Sequence, residues 1–254
     1  MQWNQRSAIV TGGAGGLGAA TVRRLTGLGL KVVVFDRALD AGLELVKDLG
    51  SGAAVGGDVN NDADVTAAID AASDLAPLAV VVNVAGGGLG GRTLSRENEP
   101  LGMEVFRTTV ELNTMGTFNV TRLCASRMAA NEPDETGQRG VVVNTASIAG
   151  YEGQTGQVAY GAAKAAVLGM SLPLARDLAP VGIRVCAIAP GTMGTPLMES
   201  APEAMKAKLV ENIVFPHRMG QPDEFALLVE SIVVNPYLNG ENIRLDGALR
   251  FPPK

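Results

Sequence analysis

In the stretch VAYGAAKAAV, Tyr160 and Lys164 stand in a run otherwise made of small and apolar residues. On a helix, a spacing of four puts the two on one face with Cβ atoms roughly 5–6 Å apart. An ammonium that close to a phenol favours the phenolate and draws the tyrosine pKa down from about 10 toward working pH. Such a pair can move a proton. The same spacing also suits a packed helix whose lysine and tyrosine simply reach water along their apolar stems, so the rest of the chain must decide. A single histidine, His217, leaves no Ser–His nucleophile built on any other residue and no multi-histidine zinc site. His217 follows Phe215-Pro216 in what reads as a surface loop. No metal is expected.

The elements that must position these residues alternate along the chain. Short apolar runs at 7–11, 31–35, 53–55, 78–84, 140–147, 183–189 and 242–245 read as strands, bounded by Gly, Asp or Asn. Helical patterns fill 16–28, 40–49, 61–73, 103–130, 157–178 and 223–234 between them. Repeated strand–helix–strand order with near-continuous apolar strands predicts one α/β domain. Its core is a doubly wound parallel sheet of about seven strands with helices on both faces. Aromatics make up only 4% of the 254 residues while glycine numbers 32, so the core is built from aliphatic side chains and close backbone approaches. The glycine-rich 86–102 segment reads as a flexible loop above the sheet. The excursion from 190 to 220, with one short amphipathic helix near 202–212, reads as a lid over a binding site.

The first strand runs into TGGAGGLG and then opens a helix. There Gly12 permits a tight turn and Gly16 removes the Cβ that would block approach to a pyrophosphate, while Gly18 allows close helix packing. A glycine cluster alone is also what a flexible turn looks like. The second strand adds weight because it ends in Asp36, eighteen residues beyond Gly18, where a carboxylate accepts hydrogen bonds from adenine-ribose hydroxyls. That carboxylate repels a 2′-phosphate, which favours NAD over NADP, although Arg37 beside it is able to contact a phosphate. The pattern is that of a Rossmann-type nucleotide-binding domain.

These residues resemble the short-chain dehydrogenase/reductase family from about residue 7 to the end. Thr11, Gly12, Gly16, Leu17 and Gly18 fall on its glycine motif, T-G-x-x-x-G-x-G. Asp58-Val59 matches the acidic site that caps adenine, and Asn83-Val84-Ala85-Gly86 matches N-N-A-G with Val in place of the second Asn. Asn113, Ser147, Tyr160 and Lys164 match the catalytic positions, and Pro190, Gly191 and Thr195 match the segment at the carboxamide end of the cofactor. The resemblance implies that Tyr160 is the general acid/base and that Lys164 lowers its pKa and binds the nicotinamide ribose. It further implies that Ser147 holds the reacting oxygen and that Asn113 holds a water linking Lys164 to solvent. NTASIAGYEGQTGQVAYGAAK, NPYLNGENIRLDGA and ANEPDETGQRG look like the branch of that family acting on 3-hydroxyacyl-CoA, which implies an acyl-CoA substrate, NAD as cofactor and a homotetramer. Gln154 faces either substrate or solvent. A 3-oxoacyl-carrier-protein reductase, a steroid or other secondary-alcohol dehydrogenase, and a cofactor-sensing regulatory protein remain as alternatives; the intact Tyr/Lys pair speaks against the last.

Charge and hydropathy exclude other classes. A net charge of −5 without a Lys/Arg cluster disfavours nucleic acid and polybasic membrane attachment. Cys124 and Cys186 lack C-x-x-C spacing and read as small buried hydrophobes in a reducing compartment. The start, MQWNQRSAIVTGG, has no signal-like apolar region, and no uninterrupted apolar run of membrane-spanning length is expected. We therefore expect a cytoplasmic protein.

Overall fold

A computed structural model describes residues 1–88, 90–199 and 202–253. Seven strands, β1 (Ser7–Thr11), β2 (Lys31–Asp36), β3 (Ala53–Gly56), β4 (Leu78–Asn83), β5 (Gly140–Thr145), β6 (Ile183–Pro190) and β7 (Asn242–Leu245), pair in the order β3-β2-β1-β4-β5-β6-β7. Every pairing is parallel. β1, β4, β5 and β6 are buried along their whole length, which is why their sequences read as continuous apolar runs rather than as alternations. Strand order reverses between β1 and β4, and the crevice this leaves above their C-terminal ends is where such sheets bind ligands.

Alternate residues of each strand feed two separate cores. Val10, Val82, Val143 and Ile188 pack on one face with Val22 and Leu25 of α1 (Gly16–Gly27) and Phe225 and Val229 of α9 (Pro222–Val234). Ile9, Val81, Val142 and Val185 pack on the other with Val65 and Ile69 of α3 (Asp62–Leu75) and Val120 and Cys124 of α5 (Gly116–Met128). The remaining helices are α2 (Leu39–Leu49), α4 (Met103–Val110), α6 (Val158–Leu178), α7 (Pro196–Glu199) and α8 (Glu203–Val210). Both cysteines are buried and free, in agreement with their apolar sequence context.

Two expectations need correction. The helical stretch at 103–130 is interrupted by a π-helical turn at Glu111–Met115 between α4 and α5. The 86–102 loop has internal order, with Leu94 bridged to Pro100 and the Ser95 hydroxyl accepting the amides of Glu97 and Glu99; Leu89 lies outside the described residues. One stretch, Val158–Val181, is long and apolar enough by composition to cross a membrane. In this fold it packs along β6 and α4, with Ala159, Ala163, Val167 and Ala175 buried, because a core helix enclosed by neighbours has the same composition as a spanning one.

At the N-terminal edge of the sheet, the ANEPDETGQRG segment folds into a closed loop. Asp134 Oδ1 accepts the amides of Thr136 and Gln138, and the Gln138 side chain in turn accepts Arg184 Nε at 2.6 Å. Arg184, 6% exposed, sends its other donors to the carbonyls of Ile232, Val233 and Leu238 at 2.8–2.9 Å and so caps the C-terminal end of α9. Replacing it with Met leaves those buried carbonyls unpaired, at about 1–3 kcal/mol each before relaxation. We expect Arg184→Met to lower the unfolding free energy by roughly 2–4 kcal/mol, read from urea denaturation, with turnover per folded molecule retained.

Candidate active site

The glycine loop leaves β1 with Gly12 at φ +63°, a conformation that side-chain-bearing residues avoid. A Cβ there would also come within 2.8 Å of the Ala85 amide nitrogen. A Cβ on Gly18 would lie 2.0 Å from the Gly12 carbonyl oxygen, so only glycine lets α1 start this close to the turn. Gly16, φ +50°, faces the Thr195 methyl at 3.4 Å from its would-be Cβ, which brings the 190–195 segment over the loop. Gly15 offers no side chain to cap α1, and no acidic residue occupies its first turn, so the amides there, Leu17 among the residues that carry them, remain free to meet an anion.

Beside the loop lies a cavity of about 210 Å³ lined by Gly12, Asp36, Arg37, Asp58, Val59, Ala85 and Gly86 together with Phe35, Gly57 and Leu112. It gathers seven of the sequence-assigned cofactor residues in one place. The Asp36 carboxylate accepts the amides of Ala14 and Ala38, both at 3.0 Å, and so braces the glycine loop while keeping lone pairs for a further donor. Arg37 is exposed at the rim. Asp58 is exposed and takes the Asn60 amide at 2.9 Å, while Val59 is buried against the start of α5, where a Cβ on Gly116 would strike its Cγ2 at 2.5 Å. Thr11, at the end of β1, accepts the amides of both Val84 and Ala85 at 3.1 Å and fixes the far wall.

Asn83 belongs elsewhere. It is buried within the sheet, donating to Thr121 Oγ1 at 3.1 Å and to Asn144 Oδ1 at 2.9 Å, so its side chain ties β4 to β5 and α5 instead of facing the cavity. The sequence pattern places it next to Ala85 and Gly86 in number, but the pleat turns its side chain away.

At the other end of the crevice four helical and loop segments meet. Asn113, fully buried in the π turn, donates to the carbonyls of Gly87 and Thr109 and accepts the Gly87 amide at 3.1 Å. A π turn of this kind swings one residue out of helical register, and such turns recur at functional sites. A Cβ on Gly86 would fall 2.7 Å from Asn113 Oδ1 and 3.1 Å from Lys164 Nζ, and one on Gly88 would fall 3.2 Å from the Tyr160 ring. Gly86 thus borders both the nucleotide cavity and the Tyr160/Lys164 pair. Ser147 caps the 3-10 turn at Ile148–Gly150 by accepting the Ala149 amide at 3.1 Å, and its hydroxyl sits on the Tyr160 side of that turn, where it favours the ionised phenol. Pro190 ends β6, and a Cβ on Gly191 would sit 2.8 Å from Asp246 Cβ, which pins this strand end against β7.

The electrostatics of the pair differ from the sequence expectation. Burial raises the Tyr160 pKa above its ordinary value, and the Ser147 hydroxyl opposes that rise. Lys164 does not donate to the phenol: its ammonium is 5.7 Å from the ring centroid and bonds the Thr145 carbonyl at 2.8 Å. Only 3% of its surface is exposed, and burial brings its own pKa down to about 8. The pair thus holds a neutral phenol able to donate a proton, beside an amine close to its titration point.

Gln154 accepts nothing from the catalytic cluster. Its Nε2 donates to the Pro252 carbonyl at 3.2 Å, and it lines a separate cavity of about 300 Å³ with Thr155, Gln157, Met205, Lys208, Leu249 and Phe251. Sequence reasoning missed the tail around Leu249 and Phe251, whose short FPP run carries no pattern. It also missed the Thr145 carbonyl, because a backbone acceptor leaves no signature in residue types. His217 is exposed, as expected, with Nδ1 2.7 Å from the Ile213 carbonyl oxygen.

Fold and site together define a Rossmann-type oxidoreductase acting on CH–OH groups. The chain belongs to the short chain dehydrogenase family, whose profile matches residues 6–206. It is 49% identical to a fruit-fly (Drosophila melanogaster) 3-hydroxyacyl-CoA dehydrogenase type-2 over 97% of this chain and 98% of that one. The crystal structure of 3-hydroxyacyl-CoA dehydrogenase type-2 from Mycobacterium avium superposes with a TM-score of 0.97 at 52% identity, covering 100% of this chain and 99% of the other. A 7α-hydroxysteroid dehydrogenase solved with NADH and 7-oxo glycochenodeoxycholic acid gives 0.86 at 27% identity, over 98% and 95% of the two chains.

A titration follows from the buried lysine. The unfolded chain keeps Lys164 protonated up to its ordinary 10.5, whereas the folded chain releases that proton near 8. The cost of burying the ammonium is therefore complete below pH 8 and is relieved as pH rises from about 8 to 10.5, by up to ~3 kcal/mol. We expect the unfolding free energy of the wild type to gain over that interval relative to Lys164→Met, measured by denaturant titrations at several pH values.

Proposed function

We propose that this protein catalyses the reversible NAD-dependent oxidation of 3-hydroxyacyl-CoA to 3-ketoacyl-CoA in fatty-acid or branched-chain acyl degradation. The observation that carries the reading is the position of Gly86, which joins the cavity holding Asp36 to the Asn113–Tyr160–Lys164 cluster without a side chain between them. Near 50% identity to 3-hydroxyacyl-CoA dehydrogenases over almost the whole chain supports the substrate class.

The residues fit the cofactor. Gly12 and Gly18 let the turn close tightly under the start of α1, since a Cβ on either would strike backbone, the free amides at the start of α1 suit a pyrophosphate, and the Asp36 carboxylate retains acceptor capacity for the adenine ribose. Gly191 and Thr195 would border the carboxamide and Lys164 the second ribose. When bound, the oxidised cofactor supplies a hydride acceptor and a positive charge. In the reductive direction the neutral Tyr160 phenol would donate its proton to the carbonyl oxygen; in the oxidative direction the phenol must first lose its proton to solvent, and the resulting phenolate would take the proton of the substrate hydroxyl. Ser147 holds that oxygen within reach of the phenol. Lys164 supplies positive charge beside the phenol without touching it, and Asn113 fixes the Gly87 backbone on which the cluster rests.

The carboxylate of Asp36 favours NAD over NADP, which speaks for this reading over a carrier-protein reductase using the phosphorylated cofactor. The segment 190–220, carrying α7 and α8, is assigned as the lid. A homotetramer in the cytoplasm completes the proposal. The assembly is supported by exposed apolar side chains, Met115 and Phe118 around the start of α5 and Val158 and Leu172 on α6, each more than two-fifths exposed.

Steady-state assays with acetoacetyl-CoA test the proposal. The wild type is expected to turn over with NADH at least tenfold better than with NADPH, and Asp36→Ala to narrow that ratio. Tyr160→Phe is expected to lower kcat by about 10²–10⁴ while NADH still binds, since the substitution removes the hydroxyl that moves the proton and keeps the ring. Full activity in Tyr160→Phe would end the mechanism.

A further inference from the structure

The tail at 249–253 folds back over the loop that follows Ser147. Leu249, 2% exposed, packs with Ile148, the residue after Ser147, and with Ile213 of the 190–220 excursion; Phe251 leans on the same cluster. Backbone bonds hold the tail down: Thr155 sends its amide and its hydroxyl to the Pro253 carbonyl at 3.0 and 2.9 Å.

Glu152 lies at the centre of this arrangement. Its Oε1 accepts Arg244 Nη2 at 2.7 Å and the Phe251 amide at 3.2 Å. Arg244, from β7, also reaches Asp246 at 2.7 Å and the Leu249 carbonyl at 3.0 Å, and its guanidinium stacks 5.2 Å from the Tyr151 ring centroid. One arginine therefore joins three segments: the end of β7, the loop after Ser147 and the tail. The Glu152 and Arg244 side chains are about three-quarters shielded from water, 25% and 23% exposed, so the pair is held by several bonds at once and is not a lone surface contact.

What this knot fixes is a wall. The cavity of about 300 Å³ has Gln154, Leu249 and Phe251 among its lining residues, with Met205 and Lys208 contributed by α8. Its apolar members suit an aliphatic chain.

We propose that Glu152 and Arg244 are positioning residues that hold the tail as a wall of the acyl pocket, and that Phe251 on that wall limits the acyl length accepted. The inference rests on the acyl-thioester reading above. Neither residue reaches the reacting atoms, so loss of the knot acts on substrate binding and leaves proton transfer and cofactor binding in place.

The test compares Glu152→Ala, Glu152→Gln and Phe251→Ala in the full-length enzyme saturated with NADH. Glu152→Ala is expected to raise KM for acetoacetyl-CoA about tenfold with kcat within about twofold and NADH affinity unchanged, the pattern of lost uniform binding. Glu152→Gln keeps a carbonyl acceptor for the Phe251 amide and should recover most of that KM. Hydrogen exchange at the Thr155 amide should accelerate in Glu152→Ala as the tail lifts. Phe251→Ala should shift kcat/KM from four-carbon toward eight-carbon 3-ketoacyl-CoA by about fivefold, a readout that stands even if Glu152→Ala fails to fold. An unchanged KM with unchanged Thr155 exchange overturns the proposal, as does a parallel loss of kcat and NADH binding. A wild type inactive on acetoacetyl-CoA but active on another ketone overturns the substrate reading instead; the knot is then judged by Thr155 exchange and by KM for that ketone.

Discussion

A lysine ammonium buried at the end of a strand, with a backbone carbonyl as its hydrogen-bond acceptor, is the constraint around which this site is arranged. Among the described residues Lys164 has no carboxylate partner, so its desolvation is offset mainly by the Thr145 oxygen. The surroundings are correspondingly crowded. Gly86 has no room for a Cβ between Asn113 and Lys164, and Gly88 has little beside Tyr160. The π turn brings the Asn113 amide to the Gly87 backbone, which a regular helix through 103–128 would not do. A charge near its titration point in this setting can respond to whatever binds beside it, which is useful in a site that must accept and release a proton.

The nucleotide side is organised by backbone more than by side chains. Asp36 shows this well. Its carboxylate already takes two amides, one from the glycine loop and one from the chain that follows β2, so the residue shapes the pocket before it can recognise anything in it. Thr11 does the same for the opposite wall through Val84 and Ala85. Glycines then define the remaining surface by what they lack. Such a site is preorganised by the sheet edge itself, because loops anchored to adjacent parallel strands have little freedom to move apart.

The two ends of the sheet divide the labour. Chemistry collects above the C-terminal strand ends, while at the N-terminal edge Asp134, Gln138 and Arg184 build a polar joint that closes α9 onto β6. The ANEPDETGQRG motif resembles a functional signature, yet its residues serve this joint and stand apart from the catalytic cluster. A motif shared within a branch can thus report on architecture and not on substrate.

Strand and helix order, the parallel sheet, the glycine loop, Asp36 and the Tyr160/Lys164 pair were all determined by residue type and spacing, because period, turn chemistry and helical faces are local properties of a chain. Tertiary structure decided matters that depend on what is packed around a group. The 158–178 run is a core helix because β6 and α4 enclose it. Asn83 points into the sheet because the pleat alternates. Tyr160 keeps its proton because desolvation outweighs its neighbours, and a spacing of four, which brings two side chains onto one face, says nothing about how much water reaches them. Nor could local pattern place the tail, since Leu249 and Phe251 acquire meaning only beside Ile148 and Glu152, some hundred residues earlier in the chain.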